Sequence, residues 1–372
     1  MKKKLVNIEN YLFYFSYFLF LVYSFFGHIA LLSKTLKFLT DFSLAIILFV
    51  FILGIKNYKK NELFKLMIVL VMSILYLFTS NDFLIFKFIL ILIVSKNISF
   101  DQKAKYDFLL RSILLIIMYI TYKAGVAPDV IGYKSGIMVH SMGFTNPNVF
   151  GMHTFILCLE LLYINRESLS LFKIIIAGAI MLWCNSVAGS RTAFYMFIIS
   201  LVLFIIYKYK KNLYNKELIK KGIIYSSVIT SIIIFVFYLL YSNNTSIGLK
   251  LDELMSSRLM LIKFFASKIP ISIFGTDMTL FVDRTCDVAI VYSLFTFGIV
   301  GCLLYMVLFV KLFKKLYKEN EIGIVIVMLI FVIYGLSEKL WMNADYNILI
   351  TAFSYLIFYN NSGVRKIEKQ SN

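Results

Sequence analysis

Charge is what this chain has least of. Asp, Glu, Lys and Arg make up 16% of its 372 residues, against about 25% in an ordinary globular domain. Proline occurs 3 times, cysteine 4 times and histidine 3 times. Cys158, Cys184, Cys286 and Cys302 are far apart in sequence, which excludes a Cys-x-x-Cys redox or zinc pattern and predicts no disulfide framework. His28, His140 and His153 share no metal-ligand spacing, so no metal site is expected. A nucleotide-binding glycine loop, a nucleophile elbow, a zinc-binding helix pattern and paired aspartates for a divalent ion are all missing. Nucleotide-dependent chemistry is not expected, nor is any cofactor. No repeat relates the two halves, which speaks against the transporters built from inverted repeats.

What fills the space is apolar. The sequence is 60% hydrophobic with a mean hydropathy of +0.84, which excludes a soluble globular protein and leaves the lipid bilayer as solvent. A spanning helix needs about 20 apolar residues, whereas barrel strands read as alternating segments of about ten. Apolar runs near 11–32, 38–55, 66–79, 83–95, 112–124, 148–164, 174–188, 192–207, 222–241, 287–310, 322–336 and 346–359 predict an all-α polytopic membrane protein of about twelve spans. Residues 1–372 form a single integral membrane domain on this reading. The first run lacks a small-residue cleavage site and more spans follow, so it is expected to be retained.

Placing Lys2, Lys3 and Lys4 in the cytosol puts segments 56–65, 96–111, 165–173, 208–221 and 311–321, and the tail after 360, on the same side. These hold 26 of the 38 Lys and Arg, as the positive-inside rule requires. Both termini are then cytosolic. The net charge of +18 is thereby explained as an orientation signal, and no nucleic-acid partner is expected.

Two connections on the outer side are long, 125–147 and 242–286, and loops of that length usually carry function. In the second, Leu251, Leu254, Arg258, Ile262 and Phe265 fall on one face of a helix, predicting an amphipathic surface helix with Arg258 turned inward. An inward guanidinium needs an anion, either Asp252 or Glu253 nearby or a bound phosphate. Arg191, Arg258 and Arg284 are three of only six arginines, yet all fall on the outer side. The planar guanidinium fork suits bidentate phosphate recognition, so an anionic outer ligand is favoured. Arg191 follows the turn at Gly189 and Ser190 and stands at a helix N-terminus, which also attracts anions. Asn146, Pro147 and Asn148 make a turn and helix N-cap, and their amides also suit sugar hydroxyls. Among the outer acids, Glu338 and Asp345 bracket the last connection, and Asp287 adjoins Arg284. Glu160 and Lys87 lie inside apolar runs near their ends and are expected to snorkel to water.

The segments GFTNPNVFG (143–151), AGSRTAF (188–194), LMSSR (254–258), IFGTD (273–277), DVAIVYSLFTFGIVG (287–301) and GLSEKLWMNADYN (335–347) occur in an order that resembles the Wzy-type polymerases of bacterial surface polysaccharides. These are also called O-antigen or capsular repeat-unit polymerases and are related to O-antigen ligases. The resemblance covers roughly 140–350. It implies a bundle of the lipid-dependent glycosyltransferase (GT-C-like) type in the bacterial plasma membrane. Such an enzyme transfers a growing glycan from undecaprenyl pyrophosphate to the non-reducing end of a lipid-linked repeat unit on the outer face. Arg191 and Arg258 match the family arginines thought to hold pyrophosphate, and Arg284 is added by position. Asn146, Asn148 and Asp345 complete the expected substrate-binding set, and Glu338, Asp287 and His140 are the candidate bases. The expected partners are the lipid-linked oligosaccharide, membrane lipid, a flippase and a chain-length regulator. A ligase, a flippase or a multispan acyltransferase are the alternative readings.

Overall fold

The computed structural model describes residues 2–358 apart from 82, 135, 283–285, 341, 342 and 344–346. The described residues are 78% helical. In order it forms α1 (Lys2–Phe26), α2 (Ala30–Gly54), α3 (Lys60–Ser80), α4 (Leu84–Val94) and α5 (Phe100–Lys123), then a hairpin of β1 (Ile131–Lys134) and β2 (Ile137–His140). There follow α6 (Pro147–Ile164), α7 (Leu171–Ala188), α8 (Arg191–Lys210), α9 (Glu217–Ile224), α10 (Ser226–Ser242), α11 (Ser246–Leu254) and α12 (Arg258–Lys268). The last helices are α13 (Ala289–Thr296), α14 (Gly298–Lys318), α15 (Ile322–Tyr334) and α16 (Ser354–Ile357), the last preceded by the 3-10 segment Ile348–Phe353.

Among the described residues five helices, α2, α3, α6, α7 and α8, are long and apolar enough to cross a membrane, and there are six if the pair α9–α10, bent by 65°, counts as one span. Helices also coincide with the remaining apolar runs. Several are too short for that measure, such as α4 with 11 residues and α15 with 13. Others, such as α5 and α14, carry charge at one end.

The surface, and not the core, sets this bundle apart from a water-soluble one. α6 lies at the centre, with 78% of its apolar stretch buried, packed by α5, α7, α8 and α15. The peripheral α2, α3 and α7 bury only 22–28% of theirs. Their outward residues are apolar nonetheless: Phe38, Phe64, Phe78 and Phe172 stand largely exposed. In water such a surface would aggregate; against lipid it costs nothing, and the helices satisfy their own backbone groups.

Three local features shape the end of the bundle that holds connections 125–147 and 242–286. Connection 125–147, expected only as a loop, contains the hairpin, with Ile131 paired to His140 and Lys134 to Ile137. Its signal was the alternation across 131–140 broken by Ser135 and Gly136. Val139 packs on Gly189, which ends α7 in the left-handed region at φ +55°; a Cβ there would come within 2.8 Å of Val139 Cγ1. The single surface helix expected in 242–286 is in fact two. Ser256 and Ser257 have φ of +55° and +64°, a break no continuous helix tolerates. Leu254 consequently points to solvent at 80% exposure, whereas Arg258, Leu259, Ile262 and Phe265 remain buried. The tenth run, 287–310, is likewise interrupted, between α13 and α14 at Gly298. There the backbone of 272–276 fills the gap: Ser272 O and Ile273 O accept from Ile299 N and Val300 N at 3.0 and 3.1 Å, and Thr276 N donates to Phe295 O at 3.1 Å. A Cβ on Gly298 (φ +72°) would lie 2.4 Å from Ile273 O.

Candidate functional site

The serine break sets up the first element of the site. Asp252, in the last turn of α11, accepts from the Leu259 and Met260 amides at 2.8 and 3.0 Å and so caps α12 from the side. Arg258 is thereby fixed as the first residue of α12, with its side chain turned into the bundle end. Of the anions considered for it, Asp252 is spent on this cap.

Its anions come from distant segments. Arg258 Nη2 donates to Glu338 Oε1 at 3.0 Å and lies 3.6 Å from Asp287 Oδ2. Arg258 Nε donates to Ser337 O at 3.2 Å, and Nη1 to Ser256 O at 3.4 Å. Glu338 is held by the turn that ends α15, where the Ser337 and Glu338 amides both donate to Tyr334 O at 2.9 Å. Asp287 is held next to it because the Ala289 amide donates to Gly335 O at 2.9 Å. Arg258 is nearly buried and its two partners are partly exposed, with side-chain exposures of 10%, 20% and 29% for Arg258, Glu338 and Asp287. Burial and the neighbouring Asp287 charge push the Glu338 carboxyl up to about 7, with Arg258 only partly offsetting them. A carboxyl with that value is suited to taking up a proton near neutrality.

Lys134 is a second cation here, one the sequence reading left out. From the end of β1 its Nζ donates to Asn148 Oδ1 at 2.7 Å and to the Ala188 and Gly189 carbonyls at 3.2 Å each. It lines a cavity of about 390 Å³ with Arg191, Asn185 and Gly189 among its walls. Burial holds the Lys134 ammonium below the usual lysine value, and the nearby charges of Arg191 and Arg258 add to this, with Glu338 acting in the opposite sense. Three cations therefore share one electrostatic field at the mouth of the bundle, with two carboxylates beside them. Such a group attracts a multiply charged anion and can exchange its internal partner Glu338 for the ligand.

Of the residues expected in the site, Arg191, Arg258, Glu338, Asp287 and Asn148 come together at this end. Asn146 lies there too but caps α6, its Oδ1 accepting from the Val149 amide at 3.0 Å. His140 does not join them. Val139 and Lys134 face α7 and the cavity, so His140 projects from the other face of the hairpin. There its Nδ1 lies 2.6 Å from Asp129 Oδ2, while Asp129 Oδ1 accepts from the Ser141 and Met142 amides at 2.9 and 3.1 Å. Burial alone would raise the Asp129 carboxyl, yet these contacts hold it below its usual range. The pair therefore fastens the base of the hairpin. Arg284 and Asp345 lie outside the described residues.

A second charged group, inside the bundle, was also missed. Arg111 donates to Asp107 Oδ2 at 2.8 Å and to Tyr17 OH at 3.3 Å, and its Nη1 lies 2.7 Å from His153 Nδ1. Glu160 Oε2 is 3.9 Å from Arg111 Nε, and Ser24 Oγ is 3.1 Å from His153 Nε2. Arg111, Asp107, Glu160 and His153 are all fully buried. Glu160 thus does not snorkel, and Arg111 does not belong to a cytosolic connection. The apolar run at 112 marked only the second half of α5, which begins at Phe100. The usable signal was the Asp107–Arg111 spacing of four on one helix face. Among the described residues no group of His, Cys, Asp and Glu could hold a metal ion.

Compared with known protein families, curated proteins and solved structures, the chain matches none.

Proposed function

We propose that this protein is a membrane glycosyltransferase that polymerises lipid-linked oligosaccharide repeat units on the outer face of a bacterial plasma membrane. The observation that carries the reading is the contact of Arg258 with Glu338 and Asp287 at the same bundle end as Lys134 and Arg191. The resemblance of segments 143–151, 188–194, 254–258 and 335–347 to Wzy-type polymerases supports it. The proposal includes a GT-C-like bundle of about twelve crossings, both termini cytosolic, and undecaprenyl pyrophosphate as the carrier.

On this reading Arg258, Arg191 and Lys134 bind the pyrophosphate and stabilise the negative charge that develops as it leaves. Pyrophosphate departs readily, so the enzyme's remaining tasks are to place the acceptor hydroxyl and remove its proton. Glu338 takes that proton once the ligand has drawn Arg258 away from it. The neighbouring Asp287 raises the basicity of Glu338. The bond from the anomeric carbon to the pyrophosphate oxygen breaks, the bond to the acceptor oxygen forms, and undecaprenyl pyrophosphate departs as the anion. The apolar helices that face lipid give the carrier tail a lateral path.

The test is deletion in the native host, separation of surface glycan by gel, and complementation with wild type, Arg258→Ala and Arg258→Lys, each verified as inserted. The expected result is single lipid-linked repeats on the outer leaflet in the null, a ladder restored by wild type, and none by either variant. Long polymer left on its carrier in the null would instead identify a ligase, and repeats trapped on the inner leaflet a flippase.

A further inference from the structure

A second polar site lies at the far end of the bundle, where α14 ends and α3 begins. Lys311, Lys315 and Lys318 follow at spacings of four and three along α14 and so share one face. Lys65 of α3 faces them across a cavity of about 460 Å³. The rest of its wall is mainly apolar, formed by residues such as Phe88, Leu92, Leu308 and Phe353. No acidic residue lines it among the described residues. Lys65 Nζ donates to Leu356 O at 2.9 Å and Lys315 Nζ pairs with Glu319 at 3.0 Å, which fixes two of the four ammonium groups in place. Lys311 and Lys318 have no ion-pair partner among the described residues and are exposed.

Glu319 offsets Lys315, but Lys311 and Lys318 leave the hollow positively charged, which an entering anion would neutralise, and the apolar floor is best covered by hydrocarbon. A free phosphate answers the first requirement and leaves the second unmet. We propose that this cavity binds an anionic glycerophospholipid, with its phosphodiester among the four lysines and an acyl chain along Phe88, Leu92 and Phe353. Basic pockets between transmembrane helices recognise anionic headgroups in this way. Lysine suits the task, since it offers a point charge with rotatable donors and no bidentate geometry is needed. The site is at the opposite end of α14 from Gly298 and the Arg258 cluster, so it is separate from the proposed reaction.

The experiment uses the full-length protein in detergent, with native mass spectrometry and thermal unfolding as readouts. Phosphatidylglycerol, phosphatidylcholine and inorganic phosphate are added separately. Three proteins are compared: wild type, Lys311→Gln/Lys318→Gln, and Lys210→Gln/Lys216→Gln as an equally neutralised surface control. Expected are retained phosphatidylglycerol and a raised unfolding temperature in wild type and control, with affinity about tenfold or more weaker in the Lys311/Lys318 variant. Equal retention of phosphatidylcholine would overturn the proposal. So would equal loss in both double variants, which would indicate general surface charge, or equal stabilisation by inorganic phosphate, which would indicate a soluble anion.

Discussion

Arg111 and Arg258 each face two carboxylates, yet they occupy opposite situations. Arg111 meets Asp107 at 2.8 Å and Glu160 at 3.9 Å with all three side chains at 0% exposure. Arg258 meets Glu338 at 3.0 Å and Asp287 at 3.6 Å with 10–29% of each side chain open. The first group is sealed by Phe25, Phe144 and the neighbouring helices of the core, so no ligand reaches it without opening the bundle. The second is assembled at a bundle end by three connections that converge from distant parts of the chain. The same pair of side-chain types therefore serves as a brace in one place and, on the proposed function, as a ligand site in the other, and access distinguishes the two.

Breaking the brace is expected to have the larger effect on folding. Arg111→Leu leaves Asp107 and Glu160 buried without a counter-charge, costing about 3–5 kcal/mol. Little folded protein should be recovered by size-exclusion chromatography in detergent. Replacing all three by Arg111→Met, Asp107→Leu and Glu160→Leu should restore much of the yield, since apolar residues substitute well for a buried ion group. Arg258→Ala should do the reverse. Polymer formation should fall by about 10²–10³-fold, the size of effect seen when a group stabilising a leaving anion is removed. Its unfolding temperature should barely change, because a partly solvated pair contributes about 0–1 kcal/mol.

Asp252→Ala tests how Arg258 is positioned. Loss of the two α12 amide contacts should cost about 0.5–2 kcal/mol, with polymer formation reduced less than in Arg258→Ala. Glu338 makes the comparison pH-dependent. Its carboxyl is raised from the usual 4.5 to about 7, so the folded state binds more protons than the unfolded state between those values. Its contribution to stability is then largest below pH 4.5 and is lost as pH rises through 7. As a base it must be ionised, so the rate of polymer formation should rise over the same interval. Glu338→Gln should remove both dependences, read from unfolding and from initial rates across pH 5–9. His140→Ala should have the smallest effect on polymer formation, within about 0.5 kcal/mol in apparent activation free energy, since it lies on the other face of the hairpin.

The lipid-facing helices were legible because membrane solvation writes itself directly into hydropathy. Arg258 and its inward direction were legible too, since Ile262 and Phe265 share its helix face. Glu338 and Asp287 were legible as acids of the same site, but their direct contact with Arg258 was not: the turn at Gly335 and the Ala289–Gly335 hydrogen bond bring them to it, and no local pattern encodes that contact. Lys134 was hidden for a similar reason, because only the hairpin register turns it toward α7. The Ser256–Ser257 break escaped a reading by periodicity, which carries a helix across any residues of the right spacing. Hydropathy also concealed Arg111, since charges in the first half of α5 look like a loop when the helix is located by its apolar half.

The most direct measurement is the affinity of purified protein in nanodiscs for undecaprenyl pyrophosphate, for wild type, Arg258→Ala and Arg258→Lys, with unfolding temperatures recorded in parallel. The account predicts that affinity falls by about tenfold or more in both variants, as loss of a bidentate charged contact requires, while the unfolding temperatures stay close to wild type. Unchanged affinity in Arg258→Ala would contradict it, and would make Arg258 a second brace like Arg111.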